Sequence, residues 1–152
     1  MTGPYFLPRY YEEIDDELIA SVESDGVDLS FIDELPRLAE LKGKLSEEEA
    51  EHLLQYMKAC PFLNGWMHME RDPFSDDKPV ISCSEFTDGI FIWRDMHMHL
   101  VETYRVAMPP KFMNHVRAFD GIYDSLGEIV VPDEFYSLKT GFGNFIYDQI
   151  GY

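Results

Sequence analysis

The tripeptide Thr87-Asp88-Gly89 lies between two runs rich in β-branched and aromatic side chains, VISCSEF over 80–86 and IFIW over 90–93. Gly, and to a lesser degree Asp, tolerates positive φ, so a turn of this kind sends a strand back along itself. The chain is therefore expected to contain an antiparallel hairpin. Helical patterns surround it. Ser46 and Glu49 have the spacing of a capping box, Ala50, Leu53, Leu54 and Met57 form an apolar stripe, and Pro61 blocks continuation, so a helix is expected over 46–59.

Further helices are expected around Ile14, Leu18, Ile19 and Val22, which fall on one side of a helical wheel, and from Pro36 through Leu38 and Leu41 to Gly43. A fourth is expected over 95–105, and a fifth after Pro109-Pro110, with Phe112, Met113, Val116 and Phe119 on one face. Residues 62–79 hold no steady period and end in a polar loop, 128–131 read as a third strand, and the tail from Gly141 is ambiguous. The expected fold is α+β: a small antiparallel sheet packed by about four to five helices. A length of 152 residues suits one domain over 1–152, able to bury roughly 70% of its unfolded surface.

Charge narrows the function. Lys and Arg number 12 against 29 Asp and Glu, for a net charge of −17. A field of that sign repels nucleic-acid phosphates and anionic lipid, and attracts cationic surfaces. Direct nucleic-acid binding and membrane association are not expected. The acid is concentrated over 12–34, where Glu12, Glu13, Asp15, Asp16, Glu17, Glu23, Asp25, Asp28, Asp33 and Glu34 occur without a single Lys or Arg. Tyr10 and Tyr11 precede this run, and aromatic rings beside charge are typical of protein-binding surfaces. A solvated helix face, with the rings packed inward, is the competing reading.

The histidine pair His97-Met98-His99 invites a metal reading. On a helix, however, residues two apart differ by about 200° and cannot grip one ion. Met96, Leu100, Thr103 and Tyr104 keep helical spacing, which puts His97 beside the buried face and His99 on the polar side, with Asp95 and Glu102 as ion-pair partners. No zinc, calcium, phosphate-loop, dinucleotide or serine-hydrolase motif occurs, so neither metal, cofactor nor catalytic role is expected. Cys60 and Cys83 are isolated and read as core thiols in a reducing compartment. The N-terminus lacks the basic and apolar regions of a signal peptide, so a soluble cytoplasmic protein is expected.

Thr87, Asp88, Gly89, Phe91 and Trp93, then Val101, Glu102 and Tyr104, then Pro109 and Phe112 make a T-D-G-x-aromatic-x-W segment followed by a helix and P-x-x-F. Over about residues 80–116 the chain thus resembles a loose group of small bacterial proteins of mostly unassigned function. Small acidic α+β proteins of this kind often resemble immunity proteins of bacterial toxin systems, which implies a toxin-binding role without assigning any residue to it. With the charge, this makes an immunity-type inhibitor of a cationic toxin, plausibly a nuclease, the leading expectation, its partner a cognate basic protein. The alternatives are an enzyme with a dispersed site using His97, His99 or His115 with acids such as Asp95, and an acidic nucleic-acid mimic.

Overall fold

The computed structural model describes residues 4–14, 16, 19–20, 23, 33–75 and 80–137. Its fold is α+β. Four strands, β1 (Tyr5–Phe6), β2 (Phe62–Glu70), β3 (Ile81–Thr87) and β4 (Phe91–Arg94), form a sheet in the order β1-β4-β3-β2. Four helices accompany them among the described residues: α1 (Leu38–Leu41), α2 (Glu47–Ala59), α3 (Asp95–Tyr104) and α4 (Pro110–Arg117). Asp16, Ile19, Ala20 and Glu23 are helical too, whereas Ile14, expected in the same helix, is extended at the end of a 3-10 turn; the remaining residues of that helix lie outside the described residues, as does the tail from Gly141.

The hairpin forms where the turn tripeptide puts it. Gly89 takes φ +91°, while the Asp88 carboxylate accepts the Ile90 and Phe91 N–H groups at 3.0 and 2.7 Å and locks the reversal. Helix α2 is capped as its spacing predicts: the Ser46 hydroxyl accepts from the Glu49 N–H (3.1 Å) and the Glu49 carboxylate from the Ser46 N–H (3.3 Å). Ala50, Leu53, Tyr56 and Met57 carry its buried face. Alternation along β4 divides the interior. Phe91 and Trp93 pack with α2, α3 and α4, whereas Ile92 joins Phe6, Leu63, Val131 and Phe135 in a second cluster. Burying a side chain such as Phe91, at 0% exposure, stabilises by about 1.5–3 kcal/mol.

Three expectations need correction. The sheet is mixed, because β1 pairs parallel to β4, with Tyr5 opposite Phe91 and Phe6 opposite Ile92. A two-residue strand has no alternation to read, and parallel pairing needs no turn to announce it. Residues 128–131 are not a strand: Glu128 closes a 3-10 turn, Val131 turns into the second cluster, and Pro132 offers no N–H to a ladder. The place beside β3 belongs to β2, whose register shifts after Phe62 and after Trp66 scramble the period that would have revealed it. Helix α1 also starts later than expected, at Leu38, and the Pro36 carbonyl instead accepts the Tyr11 N–H at 2.9 Å.

Helix α3 ends on Arg105, a non-glycine residue in the left-handed region (φ 50°, ψ 47°). Its N–H bonds back to the Val101 carbonyl (3.1 Å), and its own carbonyl accepts from Leu45 (3.3 Å), which holds the α1–α2 connection against the helix end. That conformation costs an L residue about 1–2 kcal/mol, partly offset by the greater chain entropy glycine loses on folding. Arg105→Gly is accordingly expected to stabilise the fold by about 0.5–1 kcal/mol, read as a raised urea midpoint with unchanged slope.

Candidate partner-binding surface

The acidic run divides into carboxylates spent on the fold and carboxylates left facing water. Glu12 belongs mainly to the first group, since its two oxygens accept the Leu38 and Ala39 N–H groups at 2.9 and 2.8 Å and satisfy the open end of α1. Glu13 is wholly internal. Its side chain is 2% exposed, accepts the Tyr10 N–H at 2.8 Å and takes the Arg94 guanidinium at 2.8 and 3.1 Å. Tyr10 is fully buried, its hydroxyl against the Met108 sulfur (3.4 Å). Tyr10 and Glu13 are therefore removed from the expected partner-binding set, because neither side chain reaches the surface. Tyr11 stays part-exposed with the Arg37 guanidinium 3.5 Å over its ring, while Asp16, Glu23, Asp33 and Glu34 are exposed. Asp15, Glu17, Asp25 and Asp28 lie outside the described residues.

Glu13 joins a buried ionic cluster that sequence reasoning missed. Arg94, at the end of β4, forks between Glu13 and Glu70, the latter at 3.1 and 3.3 Å, and Arg9 closes the ring at 3.7 Å from Glu13 and 3.6 Å from Glu70. Glu85 is fully buried on β3 in register with Arg94. Burial works against charge in Glu70, but Arg94 and Arg9 outweigh it and hold the carboxyl below its ordinary range. In Arg94 too, burial opposes the charge, and Glu13 and Glu70 prevail to hold its pKa above the ordinary value. The inward register Ile81, Cys83, Glu85, Thr87 was the available signal: a carboxylate on the buried side of a strand demands a cation opposite.

Every described histidine ring joins two elements. His97 is fully buried in α3; its Nδ1 accepts the Arg94 N–H (3.0 Å), so Nε2 carries the proton and donates to the Pro8 carbonyl (2.9 Å). Burial, reinforced by the nearby Arg94 charge, pushes its pKa well down and keeps the ring neutral. His99 pairs with Asp72 at 2.6 Å, not with Asp95 or Glu102 as the helical spacing suggested, and the Tyr104 hydroxyl donates to the same carboxylate at 2.8 Å. Four residues of helix bring charges near each other, but the loop after β2 supplies a better-placed acid. His115 meets Asp88 at 3.2 Å, and the Tyr56 hydroxyl donates to Asp88 at 2.6 Å. His52 bonds Tyr123 and the Val116 carbonyl.

Burial tends to raise both Asp72 and Asp88, yet hydrogen bonds, led by His99 and His115 respectively, hold them below the ordinary value. The thiols go the other way. Burial raises Cys60, and it pushes Cys83 up to about 11, with Glu70 adding to the effect, so both remain protonated and unreactive near neutrality. Among the described residues no group of three or more His, Cys, Asp or Glu could hold a metal ion, and no helix is long and apolar enough to cross a membrane.

A second acidic stretch emerges after α4. Asp120, Asp124, Glu128, Asp133 and Glu134 are all exposed, and residues 118–138 contain no Lys or Arg. This segment forms a strap around the turn end of the sheet. A Cβ built on Gly127 would lie 3.6 Å from the Ala59 carbonyl oxygen at the end of α2, and one on Gly89 would lie 3.6 Å from Ile129. Past that crossing, Val131 and Phe135 pack into the cluster with Leu63 and Ile92 on the other side of the sheet. Three large side chains of the strap face outward, Ile122 at 75%, Val130 at 87% and Tyr136 at 53% exposure. Comparison with protein-family models, with curated proteins and with solved structures finds no match.

Proposed function

We propose that this chain is a non-catalytic binding protein that blocks a basic protein partner through its carboxylate-rich surface, as an immunity-type inhibitor of a cationic toxin such as a nuclease. The observation that carries the reading is that Asp16, Glu23, Asp33 and Glu34 are open to solvent in a chain of net charge −17. Such a surface steers a cationic partner into encounter and repels wrong, acidic ones. The likeness of residues 80–116 to small acidic bacterial proteins, and through them to immunity proteins, agrees with it. The setting is a reducing cytoplasm, where Cys60 and Cys83 persist as free thiols.

The test is affinity capture from extract of the native host at low and high salt. The bait is the full chain, beside a variant carrying Asp16→Asn, Glu23→Gln, Asp33→Asn and Glu34→Gln. The unaltered chain is expected to retain a basic protein that salt releases, and the variant to retain about tenfold less of it. Equal retention by the two baits, or no basic protein on either, would falsify the reading.

A further inference from the structure

Resting on the basic-partner reading above, we propose that the Tyr11 ring is a seat for an arginine side chain of that partner, and that Arg37 of this chain fills the seat until the partner arrives. The Arg37 guanidinium carbon lies 3.5 Å from the centroid of the Tyr11 ring, and its Nη2 donates to the Asp33 carbonyl at 3.5 Å. A tyrosine face with a main-chain acceptor beside it is what a flat, delocalised cation binds, and here it already holds one. The fold does not depend on that contact. Residues 11 and 12 are joined to residues 36–39 through the backbone, by the Tyr11 N–H on the Pro36 carbonyl (2.9 Å) and by the Glu12 oxygens on the Leu38 and Ala39 N–H groups (2.9 and 2.8 Å). The stack adds to this join only a contact at the surface, where Tyr11 is 38% exposed and Arg37 half-buried.

Arg37 is also held less firmly than other surface cations. Arg117 pairs with Glu49 at 3.0 Å and Lys58 with Glu102 at 3.5 Å, whereas Arg37 makes no ion pair among the described residues, although Asp33 and Glu34 precede it and are open to solvent. An occupant held by one ring face and one carbonyl can be exchanged for another of the same shape. A partner arginine keeps the flat stack on Tyr11 and brings its charge to a surface that carries Asp33 and Glu34. A lysine ammonium, compact and strongly hydrated, answers the charge but not the ring. A second copy of this chain would set like carboxylates face to face across a symmetric contact, with −17 on each side. Arginine is therefore the side chain that the seat selects, and Tyr11 the aromatic anchor of the acidic surface.

The test titrates two synthetic peptides of equal length, one of arginine and one of lysine, into the full chain at low salt, followed by the Tyr11 ring protons and the backbone amides. The arginine peptide is expected to shift the Tyr11 ring and to bind about tenfold more tightly than the lysine peptide. Tyr11→Leu is expected to bring that ratio close to unity. Arg37→Gln is expected to widen it about threefold, because the seat is then open to the peptide; the lost positive charge tightens both peptides alike, so only the ratio reads the seat. Amides remote from residues 11 and 37 report folding, and Arg37→Gln decides alone if Tyr11→Leu does not fold. A preference for arginine that survives Tyr11→Leu, or a ratio unchanged by Arg37→Gln, overturns the proposal, and the basic-partner reading stands so long as both peptides bind. If neither peptide binds at low salt, both fail. Tyr11 ring shifts that depend on protein concentration without any peptide would make a second copy the occupant and also overturn the proposal.

Discussion

Replacing Arg94 by leucine is expected to destabilise the fold by about 3–5 kcal/mol, the range found when one member of a buried ion pair is removed. The arginine is 1% exposed and holds two carboxylates, Glu13 and Glu70, of which the first is 2% and the second 10% exposed. Leucine would fill much of the space but leave both anions with Arg9, at 3.7 and 3.6 Å, as the cation still beside them. The cost is that of stranded charge, not of lost volume. A variant that also makes Arg9, Glu13, Glu70 and Glu85 uncharged and apolar should recover most of the loss, because well-packed hydrophobic replacements of a whole buried ionic group are often neutral or better. Urea unfolding of the single and the fully apolar variants decides the matter: a fully apolar variant no more stable than Arg94→Leu alone would show that packing dominates.

The second large effect is expected from pH. His97 is neutral in the folded chain, its pKa depressed by burial and then by Arg94, whereas in the unfolded chain it titrates at its ordinary 6.5. Below pH 6.5 the unfolded state therefore binds one more proton than the folded state. Each such proton lowers stability by about 1.4 kcal/mol per pH unit, so this group alone removes about 2 kcal/mol between pH 7 and pH 5. Asp88 and Glu70, whose folded values are depressed from 3.8 and 4.5, keep their contributions above those values and lose them only as the pH falls further. Loss of stability in acid should thus begin near pH 6.5, before Asp88 and Glu70 take up protons. His97→Gln, which retains an acceptor for Arg94 N–H and a donor for Pro8, should flatten the pH 7 to 5 segment in urea titrations. Carbon-bound ring protons of His97 that moved with an ordinary midpoint in the folded chain would rule the mechanism out.

Local chemistry made part of this fold visible in advance. The Asp88-Gly89 turn, the Ser46 and Glu49 cap and the Pro61 stop each act within a few residues, and each appears where its residue types place it. The strand β2 was hidden because two register shifts set Trp66, Met67 and Met69 off their faces, and β1 because two residues carry no period. The same division holds for the site. The excess of carboxylate was plain, but which carboxylates serve the fold depended on long-range partners: Glu13 meets a residue 81 positions on, and Glu12 one 26 positions on. Tyr10 and Tyr11 are neighbours of like chemistry, yet one is fully buried and the other part-exposed, since Met108 lies beside the first and Arg37 above the second.

The pairing of β1 with β4 bears on how the molecule comes into being. During synthesis the amino-terminal strand leaves the ribosome long before its neighbour exists, and at common translation speeds the 81 residues between Glu13 and Arg94 take roughly 4–16 s to follow. Through that interval Phe6 and Leu7 have no partner strand, and closing so long a loop afterwards costs about 4 kcal/mol of chain entropy. Strand β1 is therefore made early and settles late, once β4 has followed it.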